Sequence, residues 1–182
     1  MRTKKPRIVI VASPPHTGKS SLIARFMGLC RHQGVPAAGI LAEGLWDNNR
    51  RSGFNLVDLS SGDRVPLAVR CAPHGRARIG FAFLPEGIEA GRTALNPERC
   101  ADADIIVVDE VGRLEVMGQG WAPYLGALLD LPGKTHIWAV RESLVESVAR
   151  RWAFTPRAVV DASSPDSLKG LIAACLNNKP IL

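Results

Sequence analysis

Two short runs of uninterrupted apolar residues limit what this chain can fold into. Ile8-Val9-Ile10-Val11 and Ile105-Ile106-Val107-Val108 are β-branched throughout, with no alternation of apolar and polar positions. Strands of that texture are buried on both faces, as in a parallel sheet covered by helices. The first run leads into a turn-rich loop, Ser13-Pro14-Pro15-His16-Thr17-Gly18-Lys19-Ser20, and the second into Asp109-Glu110. Ligands of open α/β sheets lie off the carboxyl ends of the strands. Chemistry is therefore expected just after residues 12, 43, 109 and 140.

The remaining pattern supports alternating strands and helices. Leu22, Ile23, Phe26, Met27, Leu29 and Cys30 fall on one helical face from Lys19 to about Gln33, where Gly34 and Pro36 stop it. Residues 37–43 and 135–140 read as strands, and Val159-Val160 as a last one. Helices are expected over 121–130, over 143–151 with Ser143 as cap and Glu146 in the capping-box position, and over 164–176 with Pro165 in its first turn. A short helix over 96–103 starts at the Asn96 cap. Residues 44–99 differ, being rich in Gly, Pro and Arg. Strand-like pieces at 53–59, 65–70 and 79–84, the first two joined by Ser60-Ser61-Gly62-Asp63, suggest an antiparallel β insertion. Residues 177–182 read as a frayed tail.

Composition narrows the function classes. The chain has 182 residues, 46% apolar and 22% charged, enough for one folded unit and too apolar for wholesale disorder. No apolar run approaches the ~18 residues of a membrane helix. Arg2, Lys4, Lys5 and Arg7 ahead of Ile8–Val11 imitate a secretory leader, but Ser13-Pro14-Pro15 cuts the run short. Four dispersed cysteines without a C-x-x-C pair suit reduced thiols in a cytoplasm, and Cys30-Arg-His32 and Cys71-Ala-Pro-His74 lack zinc-ligand spacing. The net charge of +6 rests on 17 arginines, which suits an anionic ligand. Aromatic content of 5% and the absence of long basic blocks disfavour nucleic acid.

The loop at 13–20 matches the last three residues of G-x-x-x-x-G-K-[ST], with Ser13 in place of the first glycine. Backbone N–H groups of Thr17, Gly18, Lys19 and Ser20 can converge on a phosphate at the start of the helix, which continues through Ser21. Pro14 and Pro15 stiffen the loop, and His16 is expected to face solvent. Lys19 is placed to bridge the β- and γ-phosphates, and the Ser20 hydroxyl to hold Mg²⁺. Asp109 is the second Mg²⁺ candidate and Glu110 the group that polarises attacking water. Arg141, directly after the strand at 135–140, is a candidate γ-phosphate contact. Glu43 is a candidate for ordering water or metal, or a partner for an arginine. Arg113 and Glu115 are read as pairing with each other or holding the turn after Glu110. Arg50 and Arg51 are weighed as phosphate clamps, and Trp46 as a hairpin core residue ahead of a stacking platform for a base.

With these residues in view, the chain resembles the P-loop nucleoside-triphosphatases of the thermophile and human cancer-related type. The resemblance is carried by the loop at 13–20, by Gly39-Ile40-Leu41-Ala42-Glu43 running to Arg50-Arg51-Ser52-Gly53-Phe54, and by Asp109-Glu110-Val111-Gly112-Arg113-Leu114-Glu115. It implies a RecA-like sheet, mostly parallel with helices on both faces, and a single nucleotide-binding domain over 1–182 with a β-rich insertion at about 44–99. It further implies slow Mg²⁺-dependent hydrolysis of ATP, GTP and other nucleoside triphosphates. It carries over Lys19, Ser20, Asp109 and Glu110. Ser13 and the run Gly118-Gln119-Gly120-Trp121-Ala122-Pro123 depart from the pattern. Two other classes stay open at this level. One is a small-molecule kinase with Arg70, Arg76 and Arg78 as lid residues. The other is a nucleotide-dependent assembly factor whose protein partner meets an exposed Trp121, Pro123 and Tyr124.

Overall fold

The computed structural model describes residues 6–71 and 80–176. β1 (Arg7–Ser13) is followed by α1 (Lys19–His32). Then come β2 (Ala37–Asp47), β3 (Arg50–Asp58), β4 (Arg64–Arg70), β5 (Phe81–Phe83), α2 (Pro85–Ala94) and α3 (Pro97–Cys100). β6 (Ile105–Val111), α4 (Arg113–Val116), α5 (Ala122–Leu129) and β7 (Thr135–Arg141) precede α6 (Val145–Arg151), β8 (Ala158–Asp161) and α7 (Ser167–Cys175). The eight strands form one sheet in the order β5-β4-β3-β2-β6-β7-β1-β8. β2, β6, β7, β1 and β8 are mutually parallel, and β3, β4 and β5 extend the same sheet antiparallel.

The two apolar runs feed a core on each face of the sheet. Ile8, Ile10, Ile106 and Val108 join Trp138, Leu125 and Leu128 on one side. Val9, Val11, Ile105 and Val107 meet Leu22, Ile23, Phe26 and Met27 of α1 and Leu171 of α7 on the other. Each such side chain contributes about 1.5–3 kcal/mol by burial, so the helical stripe of α1 fixes the loop before it. His136 of β7 is fully buried, and burial holds its imidazole near a pKa of about 4, so it is a neutral core residue. Among the described residues no helix is long and apolar enough to cross a membrane.

Several local expectations change. β2 and β3 run further than expected and close through Asn48 and Asn49, both at positive φ (45° and 61°), the geometry of a tight hairpin turn. Residues 85–94 form a helix where only insertion was expected. Its inward face is Gly87, Gly91 and Ala94, and a Cβ at Gly87 would stand 2.4 Å from the Pro66 carbonyl oxygen. Ser143 does not cap a helix; it lies within a 3₁₀ turn, Glu142–Leu144, and α6 starts after it. Residues 164–166 stay outside α7 because the Ser164 hydroxyl accepts from the Asp166 amide at 3.3 Å, a side-chain turn that competes with helix. Asn96 does cap α3, accepting from the Glu98 amide at 2.8 Å. The lid candidates Arg76 and Arg78, His74, Arg2, Lys4, Lys5, the first residue of the strand expected at 79–84 and the tail at 177–182 lie outside the described residues.

Candidate functional site

The phosphate loop begins as strand. Ser13 ends β1, paired with Arg141 of β7, and is buried. Its position needs no left-handed backbone, so serine fits where a glycine was expected. Positive φ falls instead at His16 (65°) and Gly18 (93°), and His16 faces solvent as expected. The Thr17 hydroxyl donates to the Pro14 carbonyl (2.6 Å) and lies 2.5 Å from Ser13 Oγ, closing the loop with side chains. Lys19 is buried and arches back over the loop, its Nζ 3.4 Å from the Ser13 carbonyl and 3.3 Å from that of Pro14. Pro14, Pro15 and Ser21 are exposed.

Asp109 and Glu110 close β6 and behave differently. Asp109 is buried and accepts from the Ala42 amide at 3.1 Å, with the Ser20 hydroxyl near enough to favour its charge. Burial pushes its carboxyl up to about 6; the nearby Ser20 hydroxyl, the Ala42 amide and Lys19 pull it down, and Glu110 adds to the rise. A register shift between Asp109 and Val111 sets Glu110 off the ladder, exposed, where Arg141 Nε donates to its Oε1 at 3.2 Å. The acids stand at the carboxyl end of β6, with Asp109 near Ser20 and Lys19 of the loop. β7 lies between β1 and β6 and carries Arg141 into the gap.

The other candidates divide. Glu43 pairs with Arg64 at 3.1 Å on the surface, the arginine-partner alternative. Glu115 is buried and accepts from the amides of Gly112 (2.7 Å) and Trp121 (3.1 Å), so it holds the turn after β6 while Arg113 is exposed and not paired with it among the described residues. Burial raises the Glu115 carboxyl above its usual range. Trp121 packs on α2, its ring 2.4 Å from a Cβ built at Gly91, and Tyr124 packs on the same core; neither is the exposed contact expected. Trp46 is 59% exposed on the hairpin instead of filling a core, and the Arg51 guanidinium lies 4.4 Å from its ring centre. Arg70 bonds to the Arg51 carbonyl through Nε. The amide of Ala42 escaped sequence reasoning because a backbone donor leaves no residue signature.

Asp109 yields a test of the site's electrostatics. Its folded pKa of about 6 lies above the reference value of 3.8. A raised carboxyl contributes its full stability below the unfolded pKa and loses it as pH rises through 6. At pH 7.5 the buried charge therefore costs up to about 3 kcal/mol. Asp109→Asn is expected to raise the melting temperature of the ligand-free protein by several degrees at pH 7.5, and by clearly less at pH 4.5. Thermal unfolding at both pH values checks this; an equal shift at both would show that the charge is not the cause.

Residues 8–161 match the NTPase_1 family of NTPases. The nucleoside-triphosphatase THEP1 of Methanopyrus kandleri is 31% identical over 113 residues, 61% of either chain, so the match spans about three-fifths of that relative's length. The human cancer-related nucleoside-triphosphatase is 31% identical over 137 residues, 70% of this chain and 71% of that one. The solution structure of a human cancer-related nucleoside triphosphatase superimposes with a TM-score of 0.72 at 22% identity, over 96% of this chain and all of the other, a likeness of fold. With its match over residues 8–161, its phosphate loop and its acid-tipped strand, the chain belongs to the NTPase_1 family.

Proposed function

We propose that this protein is a Mg²⁺-dependent nucleoside-triphosphatase that releases the γ-phosphate of ATP, GTP and other nucleoside triphosphates. The observation that carries the reading is the carboxylate of Asp109, buried at the tip of β6, held by the Ala42 amide and close enough to Ser20 and Lys19 at the start of α1 for both to favour its charge. The names of the relatives support the same class. Ser20 and Asp109 are hard oxygen donors, and Asp109 is an anion buried at the mouth of the phosphate loop, which fits a small divalent cation. Held by Ser20 and Asp109, Mg²⁺ would supply positive charge that offsets the charge of the phosphates.

The chain's own groups divide the remaining work. Backbone N–H groups at the start of α1 and the Lys19 ammonium bind the phosphates and offset their charge. Glu110 accepts a proton from the attacking water. The water oxygen bonds to the γ-phosphorus as the bond to the β-phosphate bridging oxygen breaks, giving nucleoside diphosphate and phosphate; the proton passes from Glu110 to solvent. Arg141 orients the Glu110 carboxylate. Phosphate release from ATP, GTP and CTP without any acceptor, abolished by EDTA, is the expected result. Nucleotide binding without phosphate release would overturn the reading.

A further inference from the structure

The β2–β3 hairpin holds a cation that the chemistry above does not use. β2 pairs with β6 only as far as Ile40 and then continues to Asp47, so the hairpin stands beyond the tip of β6. Arg51 lies near its end, opposite Trp46. Its guanidinium is stacked 4.4 Å from the Trp46 ring centre and 4.9 Å from that of Phe54. It also lies across the backbone of Gly44, where a Cβ would come within 2.4 Å of Nη1, so the glycine makes its room. The group is fixed before any ligand arrives.

It is also uncommitted. Nε is buried and has no hydrogen-bond partner among the described residues, and no carboxylate there lies within ion-pair distance of it. Burial lowers the pKa of Arg51, while Glu110 and Asp109 are near enough to favour its charge. Arg141, the cation on the opposite side, is already engaged with Glu110. A hollow of about 320 Å³ lined by Asp47, Asn48, Arg50, Arg51, Ser52 and Arg70 adjoins the guanidinium, with three arginines and one carboxylate in its lining. Leaving a guanidinium half-buried and unpaired is costly, and the cost is recovered when an anion reaches it.

We propose that Arg51 forms a phosphoryl subsite on the hairpin, its guanidinium receiving the terminal phosphoryl group of the nucleoside triphosphate as charge builds on that group's oxygens. This rests on the hydrolase reading above. The ligand class is a phosphoryl group in transfer, flanked by Arg51 from β3 and the Glu110–Arg141 pair from β6 and β7. A rigid donor fork aimed at developing charge stabilises the transition state more than the bound substrate. A purely structural Arg51, riveting Trp46 to Phe54, would affect folding and all ligands alike.

The test compares wild type with Arg51→Gln and Arg51→Lys, and with exposed Arg92→Gln on α2 as a charge-matched control. Turnover, KM, thermal unfolding, and affinity for nucleoside diphosphate with and without aluminium fluoride are measured. For Arg51→Gln, kcat is expected to fall about 10²–10³-fold with KM within about 3-fold. Affinity for the aluminium fluoride complex should fall by a similar factor while that for diphosphate alone holds. Arg51→Lys should be intermediate and Arg92→Gln unchanged. If Arg51→Gln does not fold, the same comparison is read on Arg51→Lys. Turnover within about 3-fold of wild type, or equal loss of affinity for diphosphate with and without aluminium fluoride, overturns the inference alone. A wild type that releases no phosphate overturns the hydrolase reading, and the inference with it.

Discussion

Glu110→Gln is expected to bind nucleoside triphosphate and leave it intact. The amide keeps the size of the carboxylate and can still accept from Arg141, but it cannot take a proton from water. Loss of a positioned base costs about 10²–10⁴-fold in turnover. Here the change also removes the negative half of the Glu110–Arg141 pair, so the upper part of that range is expected. Lys19→Ala should fail earlier, at binding, because its ammonium is the buried cation at the loop. Its affinity for triphosphate should drop by about 10–100-fold, the worth of one or two charge-assisted hydrogen bonds. Calorimetric binding and phosphate release on the two variants separate the steps. A Glu110→Gln protein retaining more than a tenth of wild-type turnover would remove Glu110 from the role of base.

The largest effect on stability is expected at Gly39. This residue sits in β2 against β6 with φ at +99°, and a Cβ there would lie 2.0 Å from the Val107 carbonyl oxygen. Neither strand can retreat: Val107 is fully buried, and the Gly39 carbonyl already accepts from the Leu59 amide at 3.0 Å. Gly39→Ala combines backbone strain with overpacking and should cost about 3–5 kcal/mol. For a chain of this size that lowers the melting temperature by roughly 10–15 °C. Urea or thermal unfolding decides it, and a variant melting within about 3 °C of wild type would mean that the β2–β6 contact yields easily.

How much was legible in the sequence depends on how locally each feature is encoded. The doubly buried strands, the loop and the acid pair are runs of adjacent residues whose chemistry shows in one dimension. Strand order is not local, so nothing in Ile105–Glu110 announced that β7 would lie between it and β1. The helix at α2 was missed because its buried face is Gly87, Gly91 and Ala94. It approaches β4 and Trp121 through missing side chains, which an apolar period does not register. The true length of β2 was hidden by Gly44, which reads as a breaker but is vacant because the Arg51 guanidinium occupies that space. Asn48-Asn49 did carry a turn signal that marks the hairpin's tip. Among the site residues, Lys19, Ser20, Asp109, Glu110 and Arg141 come together at the strand tips as their positions in sequence suggested, whereas Glu43 is drawn to Arg64 by a neighbouring strand.

The reach of β2 makes the hairpin a cantilever. Its root is clamped where Ile40 pairs with Val108 and where the Ala42 amide grips Asp109. From the Ala42 clamp to Asp47 the strand extends roughly 17 Å at about 3.3 Å per residue, and β4 supports the hairpin as far as Gly53. A tilt of about 5° at the root carries the guanidinium stacked on Trp46 through roughly 1 Å, enough to change its contact with a phosphoryl oxygen. Because the fulcrum is the amide that steadies Asp109, a load applied to the exposed Trp46 is transmitted to the carboxylate at the base of the beam.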